Sequence, residues 1–224
     1  MDLAIIEATK LPGVLPGKQA RSRKVVQDLV TTAFELLADR DFAALSIADV
    51  CAQAGVTAGA FYKRFESKDL FIEYLQRLVV EETRRNIAVG LQAEELAQLP
   101  LPVFLEKTVT ATARWYWKYE GFARASLRWS QAHPRSWSPL RETGARYAAA
   151  VEPVIARIVG KPRHAELSDA IRFSVQSMIG MFNTMVLLDP GPFKLRSRRT
   201  LEMMVRGMTL MIEDAVRRAG TDAG

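Results

Sequence analysis

Apolar residues recur at three- and four-residue spacing along most of this chain, a period that predicts an all-α fold. Val25, Val26, Leu29, Val30, Ala33, Phe34 and Leu37 lie on one face of a helix that runs to about Asp39. Ser46-Ile47-Ala48-Asp49 reads as a capping box, with aspartate in place of the usual glutamate or glutamine, and opens a second helix through Val50, Cys51 and Ala54. A third helix starts at Ala58 and turns Ala60, Phe61 and Phe65 inward. Ser67 then caps a long amphipathic helix, with Leu70, Phe71, Tyr74, Leu75, Leu78 and Val79 carrying it towards Ala88.

Leu99-Pro100-Leu101-Pro102 marks a linker, and helical periodicity resumes at Val103. Trp115, Tyr119, Phe122 and Trp129 form a single stripe if the helix continues through or bends at Gly121, with Arg124 and Arg128 on the opposite face. Ser138-Pro139 opens a helix that Pro153 should bend or interrupt and that Gly160-Lys161-Pro162 ends. The next helix spans about Ala165 to Leu188. Ile171, Val175, Met178, Phe182 and Met185 make one stripe on it, with Ile179 and Val186 beside. Asp189-Pro190-Gly191-Pro192 is a firm break. The last helix, about Arg198 to Arg218, carries Leu201, Met204, Val205, Met208, Met211, Ile212 and Ala215, widened by Met203, Gly207 and Leu210.

Three segments follow from this pattern: a mobile arm over residues 1–20, a helix-turn-helix domain over 21–75 and a larger helical domain over 76–224. Pro12, Gly13, Pro16 and Gly17, without a sustained period, are the reason for the arm. In the second segment Gly55 closes one helix with a tight turn, and Thr57 offers an oxygen to the free amides of the next. The outward face of that short helix then presents Ala58, Gly59, Tyr62 and Lys63. Gly59 weakens a helix by roughly 1 kcal/mol relative to alanine, which a backbone lying against DNA would offset. An ordinary short amphipathic helix is the alternative reading of the same residues.

Residues from about Arg23 to Leu75 resemble the DNA-binding domain of the TetR (tetracycline-repressor-like) family of bacterial regulators. The resemblance rests on Phe42-Ala43-Ala44-Leu45-Ser46-Ile47-Ala48-Asp49-Val50, on Gly55-Val56-Thr57, and on Phe61-Tyr62-Lys63-Arg64-Phe65-Glu66-Ser67-Lys68-Asp69-Leu70. Asp41 stands where the family usually has glycine, and Cys51 where it usually has alanine; aspartate tolerates a left-handed backbone and cysteine packs as a small apolar group. The resemblance implies an N-terminal three-helix reader followed by a larger helical domain for ligand binding and dimerisation. Ser46, Tyr62 and Lys68 are the candidates for phosphate contact. Thr57, Ala58, Gly59 and Lys63 are the candidates for the groove floor, with Arg21 and Arg23 of the basic run before the first helix as further DNA contacts.

The net charge of +6 suggests a polyanionic partner, but up to Leu70 nine lysines and arginines face nine aspartates and glutamates. Placement rather than excess charge favours DNA, since Lys18, Arg21, Arg23 and Lys24 precede the first helix and Lys63, Arg64 and Lys68 flank the third. A single cysteine, Cys51, reads as core filling and suits a reducing cytosol. With His133 and His164 it forms no metal-ligand pattern, so neither a metal nor another cofactor is expected, and cytoplasm is the expected compartment with no membrane partner. Nothing pairs a nucleophile with a base, so the chain reads as no enzyme.

Two features of the larger domain bear on regulation. The stripe of Trp115, Tyr119, Phe122 and Trp129, with Met178 and Phe182, is either a packed aromatic core or the border of a cavity, and the resemblance adds weight to an apolar or aromatic effector there. The last two helices carry more apolar surface than one buried stripe needs. Ile179, Val186, Leu201, Met204, Val205, Met208, Met211 and Ile212 are therefore candidates for a four-helix seam between two copies, or alternatively for the protomer's own core. The function so implied is a homodimeric regulator, a repressor that leaves a near-palindromic double-stranded DNA operator when a small molecule binds. The alternative is a helical small-molecule-binding protein or enzyme that uses the aromatic cavity without regulating DNA.

Overall fold

The helical period is realised as ten α-helices among the described residues, which in a computed structural model are 2–15, 20–91, 94–133, 139–160, 165–189 and 191–221. The only pairing of extended backbone among them is one antiparallel bridge between Val14 and Phe65. The helices are α1 Leu3–Ala8, α2 Ala20–Leu36, α3 Ile47–Ala54, α4 Ala58–Tyr62, α5 Lys68–Leu91, α6 Leu101–Lys118, α7 Glu120–Ala132, α8 Pro139–Ile158, α9 Ala165–Leu188 and α10 Arg198–Thr221. Pro16, Gly17, Lys18, the Ser138 cap, Lys161, Pro162, His164 and Pro190, all singled out in the sequence, lie outside the described residues.

The chain divides into two compact units, one of residues 1–85 and 121–140, the other of 86–120 and 141–224. The division differs from the sequence expectation: the first unit takes in the N-terminal segment, extends to residue 85 rather than 75, and gains residues 121–140. The break at Tyr119, where α6 ends, sends α7 into the N-terminal unit, whereas periodicity alone joins both helices in the larger domain.

In the N-terminal unit, Phe61, Phe65, Phe71 and Tyr74 are fully buried and stack edge to face or tilted, with ring centroids 4.7 to 5.5 Å apart. Such ring pairs add roughly 0.5–1.5 kcal/mol each beyond the area they bury. They hold the short α4 against α5, while Val26, Leu29, Val30 and Ala33 of α2, which packs on α3, are buried in the same unit. Arg64 ties the same corner from its polar side, donating to the Ala60 carbonyl at 2.6 Å and to the Ser22 hydroxyl at 3.1 Å. Its guanidinium is therefore a staple within the fold.

Residues 2–15 are not the mobile arm that Pro12 and Gly13 suggest. Asp2 caps α1 by accepting from the Ala4 amide, and Ile5, Ile6 and Val14 are buried. The Tyr74 hydroxyl, buried with its pKa pushed up to about 12, donates to the Ile6 carbonyl at 2.9 Å. Three buried aliphatic side chains contribute on the order of 1.5–3 kcal/mol each, enough to order a short segment whose composition looks loop-like.

The α7 helix completes this unit. Phe122 lies 5.7 Å from Phe34 and 6.0 Å from Phe42, and Trp129 stacks edge-on to Phe42 at 6.1 Å. Arg128 pairs with Asp41 at 2.6 Å, and Arg124 donates to the Ala38 carbonyl, so both arginines fasten α7 to the turn after α2. The helix approaches that turn so closely that a Cβ at Gly121 would lie 2.0 Å from the Leu37 carbonyl oxygen.

In the C-terminal unit α6, α9 and α10 pack on one another. Ile171, Val175, Met178, Phe182 and Met185 of α9 are buried, as the stripe predicts. By length and composition α9 is also apolar enough to cross a membrane, yet this buried stripe and the polar Glu166, Asp169 and Arg172 are what a core helix carries. Pro153 does not interrupt α8, which is continuous from Pro139 to Ile158. The lost amide removes one hydrogen bond, and burial of Val151, Val154 and Ile155 beside it holds the helix through that gap.

Candidate nucleic-acid interface

Two helices crossing at a tight turn set out the candidate surface. Ser46 caps α3, its hydroxyl accepting from the Asp49 amide at 3.4 Å. The Asp49 carboxylate pairs with Arg40 rather than closing the capping box, since aspartate is a methylene shorter than the glutamate that reaches back. Gly55 adopts a left-handed backbone, φ 66°, and its amide donates into the end of α3. Thr57 then caps α4 by accepting from the Ala60 amide at 3.2 Å.

The consequence is the outward face that the sequence predicts. Thr57, Ala58, Gly59, Tyr62 and Lys63 are all exposed, while Phe61 beneath them is fully buried. Tyr62 stands 56% exposed with its ring edge-on to Phe61, which fixes the direction of its hydroxyl. Nothing lies within 4 Å of where a Cβ at Gly59 would be.

The flanking candidates are arranged less simply. The Lys68 amine donates to the Ala43 carbonyl at 3.0 Å, bridging the start of α5 to the turn before α3. Arg21 is exposed at the start of α2, but Arg23 pairs with Glu7 of α1 at 2.8 Å. The sequence does not announce that pair, because residues 3–8 belong to a stretch that reads as an arm. Cys51 is buried, and burial pushes its thiol pKa up, as for a core residue. The His133 ring stacks on Trp129 at 4.0 Å.

The candidate effector residues do not form the single stripe that their spacing suggests. Phe122 and Trp129 fill the core of the N-terminal unit, whereas Trp115, Tyr119, Met178 and Phe182 belong to the C-terminal unit. The reason is the break at Tyr119: once α6 ends, a stripe continued by counting residues is no longer continuous in space. Within the C-terminal unit the sequence missed a polar cluster beside the aromatic one. Tyr116 stacks on Phe182 at 5.1 Å and donates its hydroxyl to Asn183 Oδ1 at 2.6 Å. Tyr147 lies within 3.4 Å of the Thr112 hydroxyl and the Thr108 carbonyl, its pKa raised by burial. Tyrosines that fall off an apolar stripe yet sit between apolar neighbours are the available sequence signal.

The seam candidates also divide. Val186, Met204, Met208 and Ile212 are buried within the protomer and Ile179, Leu201 and Val205 are half-buried, leaving Met211 exposed. The exposed apolar side chains are instead Phe173, Met181 and Leu188 on α9 and Met203, Leu210 and Met211 on α10, with open space beside Gly180 and Gly207. Both stripes are apolar, and packing of α9 on α10 turns the other one inward. Sequence periodicity identifies the two faces but cannot say which is internal.

A capped turn, a short exposed helix on an aromatic core and a separate all-helical unit define a helix-turn-helix fold followed by a second helical unit. Residues 29–75 match the sequence profile of the family described as bacterial regulatory proteins, tetR family. No curated protein sequence matches the chain. Among solved structures, a tetR-family transcriptional regulator from Streptomyces coelicolor is similar with a TM-score of 0.65 at 12% identity, over 88% of this chain and 83% of that one. Salmonella enterica GusR is similar with a TM-score of 0.60 at 12% identity, over 84% and 95%. A regulatory protein in the tetR family from Rhodococcus RHA1 gives 0.54 at 17%, over 85% and 96%. These likenesses establish the fold, and the tetR-family profile matches this chain over residues 29–75.

Proposed function

We propose that the protein is a homodimeric transcriptional repressor that reads a near-palindromic operator through α4 and releases it when a small molecule binds the C-terminal unit. The observation that carries the DNA contact is Gly59. A glycine inside a five-residue helix weakens it, and no neighbouring atom in the protomer requires the missing side chain. Close approach of something outside the protomer accounts for it, and the exposed Thr57, Ala58, Tyr62 and Lys63 around it suit a major groove. Lys68, Ser46 and Arg21 then position the backbone, with Lys68 giving up the Ala43 carbonyl for a phosphate.

Two such helices must reach successive major grooves about 34–36 Å apart, which requires two copies. The exposed face of Phe173, Met181, Leu188, Met203, Leu210 and Met211 supplies a self-complementary seam in which Gly180 and Gly207 permit close packing. For the effector, the apolar Trp115, Tyr119, Met178 and Phe182 of the C-terminal unit would line the site, and Tyr116, Asn183 and Tyr147 would exchange their present hydrogen bonds for ones that orient an aromatic or apolar molecule.

Gly59→Ala tests the reading with two opposed signs. Helix propensity predicts a gain of about 0.5–1 kcal/mol in thermal stability. Affinity for a duplex selected by the protein from a random-sequence pool should fall by about tenfold or more, equivalent to roughly 1.4 kcal/mol. A variant that binds the selected duplex as tightly as the parent removes α4 from the interface.

A further inference from the structure

Beyond the face of α4 itself lies the question of what fixes its direction. A helix of five residues has no stability of its own, since nucleation is unfavourable and isolated helices below about 12 residues are marginal. Base contacts nevertheless need positioning to within about 0.5 Å. The entrance of α4 is held by Gly55 and the Thr57 cap. Its exit, Arg64-Phe65-Glu66, is where the N-terminal segment returns.

Val14 forms an antiparallel bridge with Phe65. The Leu15 amide donates to the Arg64 carbonyl at 2.8 Å, and the Glu66 amide donates to the Gly13 carbonyl at 3.3 Å. Gly13 takes φ +79°, and a Cβ there would lie 2.8 Å from Leu70 Cδ1 and 3.1 Å from the Glu66 carboxylate. Behind this hook, α1 is anchored by burial of Ile5 and Ile6 and by the Tyr74 hydroxyl on the Ile6 carbonyl. The geometry points to residues Gly13–Leu15 as a positioning element that clamps the exit of α4 and thereby sets its sequence preference. The N-terminal segment acts on the operator from behind the recognition helix. This rests on the reading of α4 as the DNA-contacting helix.

The hook is tested by removing one hydrogen bond without touching the core or the DNA-facing side chains. Leu15 is 67% exposed, so Leu15→Pro deletes the amide donor to Arg64 at little packing cost, and the extended conformation proline asks of Val14 suits a bridge residue. Leu15→Ala keeps the amide. The probes are the duplex that the parent selects from a random-sequence pool and a scrambled duplex of the same length, at the same salt. Leu15→Pro should weaken binding to the selected duplex about fivefold while leaving the scrambled duplex and the salt slope unchanged, because phosphate contacts do not depend on α4 reaching base edges. Leu15→Ala should match the parent. Tyr74→Phe, which frees the Ile6 carbonyl without changing shape, should move specific binding in the same direction and serves if the proline variant does not fold.

Unchanged preference in folded Leu15→Pro or in folded Tyr74→Phe overturns the hook, and so does a parallel loss on both duplexes, which is the mark of a merely structural role. A parent that selects no sequence at all refutes the DNA-reading function itself, an outcome distinct from a selective parent with an indifferent Leu15→Pro.

Discussion

Gly121→Ala is the sharpest available test of how α7 belongs to the N-terminal unit. The added methyl would stand 2.0 Å from the Leu37 carbonyl oxygen, 2.7 Å from its carbon and 2.8 Å from Ala38 Cα, all backbone atoms that cannot rotate away. An ordinary carbon–oxygen contact is about 3.3 Å or more, so the first turn of α7 must retreat by roughly 1.3 Å. A gap near 1 Å already forfeits a quarter to a half of each dispersion well. The contacts at risk are those of Phe122, which is 2% exposed between Phe34 and Phe42 and follows Gly121 directly. Overpacking of this kind costs about 1–3 kcal/mol, and the upper end applies where backbone rather than a flexible side chain is met. For a chain of this size about 3 kcal/mol lowers the melting temperature by roughly 6–12 °C. Thermal unfolding followed by circular dichroism measures it, with Gly90→Ala in α5 as the control. That site has nothing within 4 Å and should gain up to about 1 kcal/mol. Gly121→Ala melting within a degree of the parent would refute the docking of α7 on the end of α2.

Two further outcomes follow from burial. Phe122→Ala should cost about 3–5 kcal/mol and lower duplex binding along with stability, since the ring packs in the same unit as α4; loss of effector response alone, with stability intact, would return it to a ligand site. Leu210→Arg and Met208→Arg should separate the seam from the core: Leu210 is 54% exposed, so its arginine variant should sediment as a folded monomer with weakened duplex binding, whereas Met208 at 5% should unfold the C-terminal unit at a cost of roughly 3–5 kcal/mol. Equal behaviour of the two variants would refute the assignment of faces on α10.

What the sequence by itself determines here is local. The Ser46 and Thr57 caps, the left-handed Gly55 and the start of α4 at Ala58 follow from side-chain oxygens and backbone sterics acting over three or four residues, and the period places α9 and α10 within a few residues. The fold class and the outward face of α4 were legible for the same reason, because a helix only five residues long has few choices of which side to bury. What the tertiary structure alone decided is partnership. Ile5, Ile6 and Val14 look like fragments of a loop until Phe65 and Tyr74, some fifty or more residues away, give them a surface to cover. Phe122 and Trp129 continue an aromatic stripe by counting, but the end of α6 at Tyr119 redirects them onto Phe34 and Phe42. On α9 and α10 two apolar faces compete, and only packing of one helix on the other buries Met208 while leaving Leu210 outside. Hydrophobicity is non-directional, so a sequence can say that a face will be covered, whereas the identity of what covers it is fixed only when distant segments meet.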